Sequence, residues 1–256
     1  MERETPENGQ ATQYNNLSVE YASLAEVDPV KRFIQYPEAL RLLGDVANKD
    51  ILDIGCGNGT FTRMLARKEA RVVGYDPAVK QIEEAQKFEA QEGSGIKYFV
   101  GDRPAISPGH QFDEAVSVMV LLYATDRGNL RDIFTYAIRA LKSGGSFSSI
   151  TFNPDYRRFG EVAYNRRFSK TEDGRIQVDF LNDQGEVKIT ARFSDFSVSD
   201  YENAAKEAGF SGVEWIKLEI TPEGKEKQGE DFWNDFEDDP PYIGIRVVGS
   251  LPEECC

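Results

Sequence analysis

The 256-residue chain has one histidine, three cysteines and no run of about twenty apolar residues, and each scarcity excludes a class of protein. A disulfide scaffold is excluded because Cys255 and Cys256 are adjacent at the chain end and Cys56 stands alone. Without a long apolar run, no membrane span is expected. With His110 as the single histidine, neither a zinc site nor a histidine general base is predicted.

Positive charge is also scarce. Lysine and arginine total 30 against 44 aspartate and glutamate residues, which gives a net charge of −14. Such a chain repels phosphate backbones and anionic lipid, so neither a nucleic acid nor a membrane is an expected partner. The polar N-terminus lacks an apolar secretory run, which predicts a cytoplasmic protein. The terminal Cys255-Cys256 pair has no basic cluster upstream, so it is interpreted as a tail and not as a prenylation site.

Short apolar runs alternate with longer amphipathic stretches between residues 50 and 152. This alternation is typical of βαβ units and predicts an α/β fold: a Rossmann-like, seven-stranded, mostly parallel sheet with helices on both faces. Ligands on such sheets bind beyond the carboxyl ends of the strands. The predicted strands are residues 51–54, 72–75, 96–100, 115–121 and 146–152, and the predicted helices are 61–67, 79–90 and 130–141.

The flanking segments complete the expected architecture. Helix-like spacing over residues 30–46, interrupted by Pro37, predicts one or two short helices. Polar and apolar residues alternate after Pro154, which predicts an antiparallel hairpin inserted as a substrate lid over residues 154–195, followed by a helix with Ser199 as its N-cap. We expect an N-terminal cap segment over residues 1–29 and one domain over 30–250. The remaining predicted elements are hairpin strands 175–181 and 186–193, helix 201–207, and edge strands near 213–220 and 242–248.

The strongest local signal is the segment ILDIGCGNGT at residues 51–60, a strand that runs into a glycine turn and then a helix. Glycines let a backbone approach a ligand closely, and a helix start offers free N–H groups. The dinucleotide fingerprint G-x-G-x-x-G needs a sixth-place glycine, where this chain has Thr60, so a nicotinamide cofactor is disfavoured. A tight strand-to-helix connection without a ligand is the alternative interpretation.

Two aspartates follow the next two predicted strands. Asp76 lies about twenty positions after Gly55, the spacing at which nucleotide-binding sheets place a carboxylate for ribose hydroxyls. A carboxylate accepts two hydrogen bonds from a vicinal diol. Asp76 with Pro77 is also a plausible helix cap followed by proline at the first helical position. Asp102 could accept from an adenine amine, or be a solvated turn residue.

As a set, these motifs resemble class I S-adenosylmethionine-dependent methyltransferases over residues 40–155. The shared features are the D-x-G-x-G-x-G turn at residues 53–59, the acidic residues 76 and 102, FDEAV at 112–116 and LKSGG at 141–145. The resemblance implies S-adenosylmethionine as cofactor and S-adenosylhomocysteine as product. The implied cofactor contacts are Asp53, Gly55, Cys56 and Gly57 on the methionyl part, Asp76 with Pro77 on the ribose, Asp102 and Arg103 on the adenine, and Val118 and Met119 near the sulfonium.

Both ends of the chain carry narrower resemblances. Residues 14–21 are similar to the Y-D-x-I-A-x-x-Y opening of small-molecule methyltransferases, which makes Tyr14 a cofactor contact and Tyr14 and Tyr21 candidates for positioning the acceptor. Residues 221–224, 232–233 and 240–242 are similar to toxoflavin-type N-methyltransferases. The expected function is methyl transfer, by in-line displacement, to N or O of a small heteroaromatic or polar metabolite of secondary metabolism. No metal is expected, and no residue is assigned as a base.

Several alternatives remain open at this point. The chain could be a non-catalytic S-adenosylmethionine-binding scaffold or, with less support, a nicotinamide-dependent oxidoreductase. The arginine pairs at 157–158 and 166–167 are either solvated loop charges or contacts to an acidic acceptor. The neighbouring aromatic residues are expected to form the core of the lid. Cys56 is interpreted as a small side chain that fits the turn and not as a nucleophile, and the oligomeric state is left unspecified.

Overall fold

The computed structural model describes residues 28–101 and 111–249, and eleven strands and six α-helices lie in these two ranges. The strands are β1 Asp50–Ile54, β2 Arg71–Asp76, β3 Lys97–Val100, β4 Phe112–Val118, β5 Leu141–Phe152, β6 Val162–Ala163, β7 Arg166–Lys170, β8 Arg175–Leu181, β9 Val187–Ser194, β10 Glu214–Ile216 and β11 Tyr242–Val248. The helices are α1 Tyr36–Leu43, α2 Thr60–Ala66, α3 Val79–Glu92, α4 Arg127–Ala140, α5 Val198–Ala208 and α6 Pro222–Gln228.

The main sheet has seven strands in the order β10-β11-β5-β4-β1-β2-β3. Neighbours from β5 through β3 pair in parallel, whereas β11 pairs antiparallel with both β5 and β10. The predicted mostly parallel, seven-stranded sheet is confirmed. Strand order reverses beside β1, because β2 and β3 lie on one side of it and β4 and β5 on the other. Open α/β sheets bind ligands at such a switch point.

Two hydrophobic cores cover the two faces of the sheet, as a buried parallel sheet requires. One core joins the sheet to α1, α2, α3 and the lid, through residues such as Leu42, Leu65 and Ile82. The other packs α4 and α5 on the opposite face, through Phe134 and Tyr201. The carboxyl ends of β1, β2 and β4 therefore emerge together at one edge between two filled layers.

The first helix is continuous through Pro37 because its preceding turn is widened. Residues Lys31–Gln35 form a π-helical turn that runs directly into α1, and Pro37 lies in the first turn of α1. Proline has no N–H to donate to the carbonyl four residues earlier, which belongs to Phe33. That carbonyl accepts instead from the Thr221 N–H at 3.0 Å. Of the one or two helices predicted over residues 30–46, the structure has one continuous helical segment, and the freed carbonyl ties it to the segment before α6.

The inserted lid is larger than the predicted hairpin. The hairpin strands are confirmed as β8 and β9, but β7 pairs with β8 and β6 with β7, which makes a four-stranded antiparallel sheet. The aromatic residues Tyr156, Tyr164 and Phe168 are buried, but their rings also pack on Phe152 of β5 and on Trp233, so they join the core of the main sheet and do not form a separate lid core. The short, arginine-rich β7 lacks the apolar alternation that identifies a strand from sequence.

The C-terminal elements differ from expectation at two points. The strand predicted near 213–220 is only three residues long, as β10. The N-cap of α5 is Ser197 and not Ser199. Ser197 Oγ accepts from the Asp200 N–H at 3.3 Å, and the Asp200 carboxylate accepts from the Ser197 N–H at 2.9 Å. This reciprocal capping box satisfies two helix-terminal N–H groups.

Replacing Ser197 with alanine should lower the free energy of unfolding by about 1 kcal/mol, because the capping hydroxyl is lost. Ser199→Ala is the matched control and should change stability by less than half as much, since Ser199 Oγ contacts only the Ser197 hydroxyl, at 3.0 Å. Urea denaturation of both variants measures the difference. Equal losses in the two variants would contradict Ser197 as the cap.

Candidate cofactor and acceptor site

The glycine turn connects β1 to α2 at the switch point of the sheet. Gly55, Gly57 and Gly59 have φ of 69°, 55° and 77°, in the left-handed region that favours glycine. A Cβ on Gly55 would lie 2.5 Å from Val120 Cγ2, so the backbone here is packed directly against the residue that follows β4 by two positions. The turn thus needs glycine both for its backbone angles and for this close approach.

Asp76 ends β2 and organises the turn from the side. Its Oδ2 accepts from the Gly57 N–H at 3.0 Å, and its Oδ1 accepts from the Ala78 N–H at 2.8 Å. Burial raises the pKa of this carboxyl to about 6, although both hydrogen bonds favour the ionised form. The alternative prediction, Asp76 as a helix cap with Pro77 at the first helical position, is wrong, because α3 begins at Val79 with Ala78 as its N-cap.

Asp53 lies beneath the turn in β1 and is buried. Its Oδ2 accepts from Thr62 Oγ1 at 2.6 Å, which joins β1 to α2. Burial, with a smaller contribution from the nearby Asp76 carboxylate, raises the pKa of the Asp53 carboxyl to about 7. Among the residues the structure describes, no lysine or arginine pairs with either carboxylate. The two acids therefore form a desolvated, acceptor-rich pair beside the turn.

Cys56 is buried within the turn, and its Sγ lies 3.7 Å from the Gly57 carbonyl oxygen. A Cβ on Gly74 of β2 would come within 2.9 Å of this sulfur, so Gly74 makes the space that Cys56 occupies. Burial raises the pKa of the thiol well above its ordinary value. A neutral, enclosed thiol is a poor nucleophile, which agrees with its interpretation as a packing residue.

Val118 and Met119 lie where β4 ends, next to the turn. The strand covers residues 112–118 and not the predicted 115–121, because Met119 adopts φ of 60° and breaks the extended backbone. The Met119 N–H donates to the Ile150 carbonyl at 2.8 Å. A non-glycine residue in the left-handed region is strained, and such strain concentrates at functional sites.

The remaining predicted site residues lie outside the two described ranges. Their assigned roles stay predictions. These residues are Tyr14, Tyr21, Asp102, Arg103, His110, Cys255 and Cys256.

A cleft lies between the lid sheet and the main sheet, and Met119 is part of its wall. The π-helical turn contributes Gln35, and the residues after β4 contribute Leu122 and Tyr123. The enclosed space is about 20 Å³, roughly the size that holds one water molecule. The aromatic residues that line it are Tyr123, Phe168, Phe180, Phe193 and Tyr242.

Three of the four candidate arginines form ion pairs with aspartates. Arg158 Nη1 lies 2.6 Å from Asp235 Oδ2, Arg157 Nε lies 3.7 Å from Asp239 Oδ1, and Arg167 Nη2 lies 3.0 Å from Asp179 Oδ2. The first two pairs join the lid to the acidic segment before β11. Arg166 alone lines the cleft, where its guanidinium pairs with Asp28.

Comparison with known proteins agrees with this geometry. A family profile described as a methyltransferase domain matches residues 51–145, which run from β1 into β5. A crystal structure of a S-adenosylmethionine-dependent methyltransferase from Clostridium acetobutylicum superposes with a TM-score of 0.63 at 17% identity, covering 93% of this chain and 99% of that one. Residues 51–145 thus match a methyltransferase domain, and the chain has the class I methyltransferase fold.

Two curated relatives of this methyltransferase domain differ in what they are named for. A ubiquinone biosynthesis O-methyltransferase from Methylobacterium sp. is 32% identical over 119 residues, 44% of this chain and 45% of that protein. A tRNA U34 carboxymethyltransferase from Campylobacter jejuni subsp. doylei is 24% identical over 200 residues, 77% of this chain and 62% of that protein. The chain spans about half the length of the first relative, and the toxoflavin-type resemblance stays a prediction.

The methyltransferase domain fits S-adenosylmethionine, the cofactor predicted from the sequence and confirmed by these comparisons. The Asp53 and Asp76 carboxylates accept from Thr62, Gly57 and Ala78, and their remaining acceptor capacity suits a ligand with ribose hydroxyls and an ammonium group. The glycine turn supplies the close backbone approach. Over the described residues no group of three or more His, Cys, Asp and Glu could hold a metal ion, and no helix is long and apolar enough to cross a membrane.

Three residues near the candidate site were not predicted from the sequence. Gln81 is buried on α3, its Oε1 lies 3.6 Å from the Cβ position of Gly57, and its Nε2 has no hydrogen-bond partner among the described residues. Tyr98 packs its ring against Gly59 and Gly74, where a Cβ on Gly59 would meet its Oη at 2.3 Å. Gln35 lines the cleft. The glycines at 59 and 74 are consistent with a side chain packed closely against them, but no local sequence pattern identifies Tyr98 as that side chain.

Proposed function

We propose that this protein transfers a methyl group from S-adenosylmethionine to a nitrogen or oxygen of a small molecule held in the lid cleft. The observation that carries the proposal is the position of Met119. It follows the last residue of β4, beside the glycine turn, and also lines the cleft, so the predicted cofactor site and the cleft share a wall. An acceptor in the cleft would then lie next to the sulfonium.

The cofactor contacts are proposed from the resemblance and from the donors and acceptors present. Asp53 and the turn at Gly55, Cys56 and Gly57 would hold the methionyl part. Asp76, with Pro77 beside it, would hold the ribose. Val118 and Met119 would flank the sulfonium, and Asp102 and Arg103 the adenine. When bound, the cofactor supplies an electrophilic methyl group on a sulfonium whose leaving group departs neutral.

The chain's own contribution is to align the acceptor and exclude water. The closed cleft has room for about one water molecule, so an acceptor enters when the lid moves outward and the aromatic rings close over it. Among the described residues, Asp28 is the one carboxylate that lines the cleft, and it is paired with Arg166 and is not placed as a base. An acceptor with a ring nitrogen or an acidic hydroxyl needs no strong base.

The domain layout is part of the proposal. Residues 1–29 would form the cap segment, residues 30–250 the methyltransferase domain and residues 154–195 the substrate lid. The lid's β6 to β9 form their own sheet above the cleft, and Ser194 Oγ donates to the Ala124 carbonyl at 2.6 Å where the lid returns to the domain.

Radiolabelled methyl transfer tests the function. The protein is incubated with S-adenosylmethionine labelled in its methyl group and with two separate pools, small phenols and heteroaromatics in one and unmodified tRNA in the other. With the wild-type protein, label should enter the small-molecule pool. With the Asp76→Ala variant, it should not. Label in tRNA alone would overturn the small-molecule acceptor, a possibility that the name of the Campylobacter relative raises.

The same assay separates an enzyme from a binding scaffold. Calorimetric titration with S-adenosylhomocysteine and with NAD is run beside it. Binding of S-adenosylhomocysteine without label transfer to either pool would favour the non-catalytic scaffold. Binding of NAD alone would favour the oxidoreductase.

A further inference from the structure

Gln35 is a buried amide on the wall of the cleft. Its exposed fraction is 2%, and its Oε1 has no hydrogen-bond partner among the described residues. A buried carbonyl oxygen without a hydrogen-bond donor destabilises the folded state. When such an oxygen lines a cleft, it indicates a ligand that donates a hydrogen bond to it. Gln35 also belongs to the π-helical turn, and such turns are frequent at functional sites.

Five of the residues that line the cleft with Gln35 are aromatic. Tyr123 and Phe193 pack edge to face with centroids 6.2 Å apart, and Phe168 packs against Tyr242 in the same way at 6.2 Å. Rings of this kind offer flat apolar faces to a planar ligand. An aliphatic ligand would bury its apolar surface here, but it would not make the ring-to-ring contacts that an aromatic ligand makes.

Arg166 and Asp28 form the polar end of the cleft. The exposed fractions of their side chains are 3% and 12%, and Arg166 Cζ lies 5.1 Å from the Phe180 ring centroid and 5.7 Å from that of Tyr242. Because the two charges compensate each other, this end contributes polarity without a net charge. Lys31 also lines the cleft. The charge balance therefore favours a neutral or weakly acidic ligand over a cation.

From these contacts, we propose that Gln35 is the specificity residue of the acceptor site and that the acceptor is a planar aromatic molecule that donates an O–H or N–H hydrogen bond to Gln35 Oε1. This inference rests on the proposed function, because it places the methyl acceptor in the cleft. A ligand without the donor leaves the buried oxygen unpaired, so the site discriminates against it.

The test compares matched probes on the intact protein saturated with S-adenosylhomocysteine. The pairs are catechol with 1,2-dimethoxybenzene, and indole with 1-methylindole, with affinities taken from ligand-observed NMR titration. Wild type should bind each donor-bearing probe about 10-fold more tightly than its methylated partner. Gln35→Leu should remove that difference, whereas Gln35→Glu, which keeps an acceptor oxygen at the same place, should retain part of it.

Two controls keep the outcomes distinct. Gln184→Leu, at an exposed position in the lid turn, should behave as wild type. The affinity of S-adenosylhomocysteine should be unchanged in Gln35→Leu, which also shows that the variant is folded. Equal binding of both members of each pair to wild type, or an undiminished preference in Gln35→Leu, would overturn the role of Gln35. Failure of wild type to bind S-adenosylhomocysteine would instead overturn the proposed function.

Discussion

The Asp76→Ala variant should bind S-adenosylhomocysteine at least about 100-fold more weakly than wild type, as measured by isothermal titration calorimetry. The substitution removes the carboxylate proposed to accept from the ribose hydroxyls. It also removes the acceptor of the Gly57 and Ala78 N–H groups, at 3.0 and 2.8 Å, which hold the glycine turn against β2. Both losses act on the same ligand, so their effects combine.

Asp76→Asn separates the two contributions. The asparagine oxygen can still accept one backbone hydrogen bond, so the turn keeps part of its order, but the charge is lost. Its affinity should lie between those of wild type and Asp76→Ala. Glu83→Ala, at an exposed position on α3, is the control and should bind as wild type. Wild-type affinity in Asp76→Ala would refute the placement of the cofactor at this edge.

The stability of the free protein should fall as pH rises from 5 to 7. Burial raises the pKa of the Asp53 carboxyl to about 7 and that of Asp76 to about 6, from an ordinary value of 3.8. In this interval the folded chain keeps protons that the unfolded chain has already lost. The stabilisation that these two groups give is complete below pH 4 and is lost as pH rises through their folded pKa values.

Urea denaturation at constant ionic strength measures this dependence. Each group should lower the free energy of unfolding by at most about 1.4 kcal/mol per pH unit. Asp50 acts in the opposite direction at lower pH, because Arg71 and Lys142 hold the pKa of its carboxyl at about 2 and it is ionised well before pH 5. The decline between pH 5 and 7 therefore reports on Asp53 and Asp76.

Asp53→Asn should remove about half of this decline and raise the stability at pH 8. Its oxygen can still accept from Thr62 Oγ1, which donates to Asp53 at 2.6 Å in wild type, and it has no charge to desolvate. Asp183→Asn, at an exposed lid position, should leave the slope unchanged. A flat profile in wild type, or an unchanged slope in Asp53→Asn, would contradict the desolvated acid pair.

Features of the site that depend on residues close together in the sequence could be predicted from the sequence. The glycine turn, Asp53 and Asp76 lie at strand ends, where alternation of apolar runs and a local motif identify them together. Even there the prediction misplaced details: β4 ends at Val118 because Met119 turns left-handed, and α3 begins after Pro77. Such endpoints depend on packing against other strands, which a local pattern does not contain.

The sequence by itself determined the alternation of strands and helices, the glycine turn and the acidic residues that suit S-adenosylmethionine. These are local properties, because they depend on the periodicity of apolar residues and on the backbone angles of glycine. Only the tertiary structure decided that Gln35 lines the cleft and that Arg166 faces Asp28 across 138 residues of chain. It also decided that β6 and β7 extend the hairpin into a sheet. These features arise from contacts between distant segments, whose partners are set by how the whole core packs.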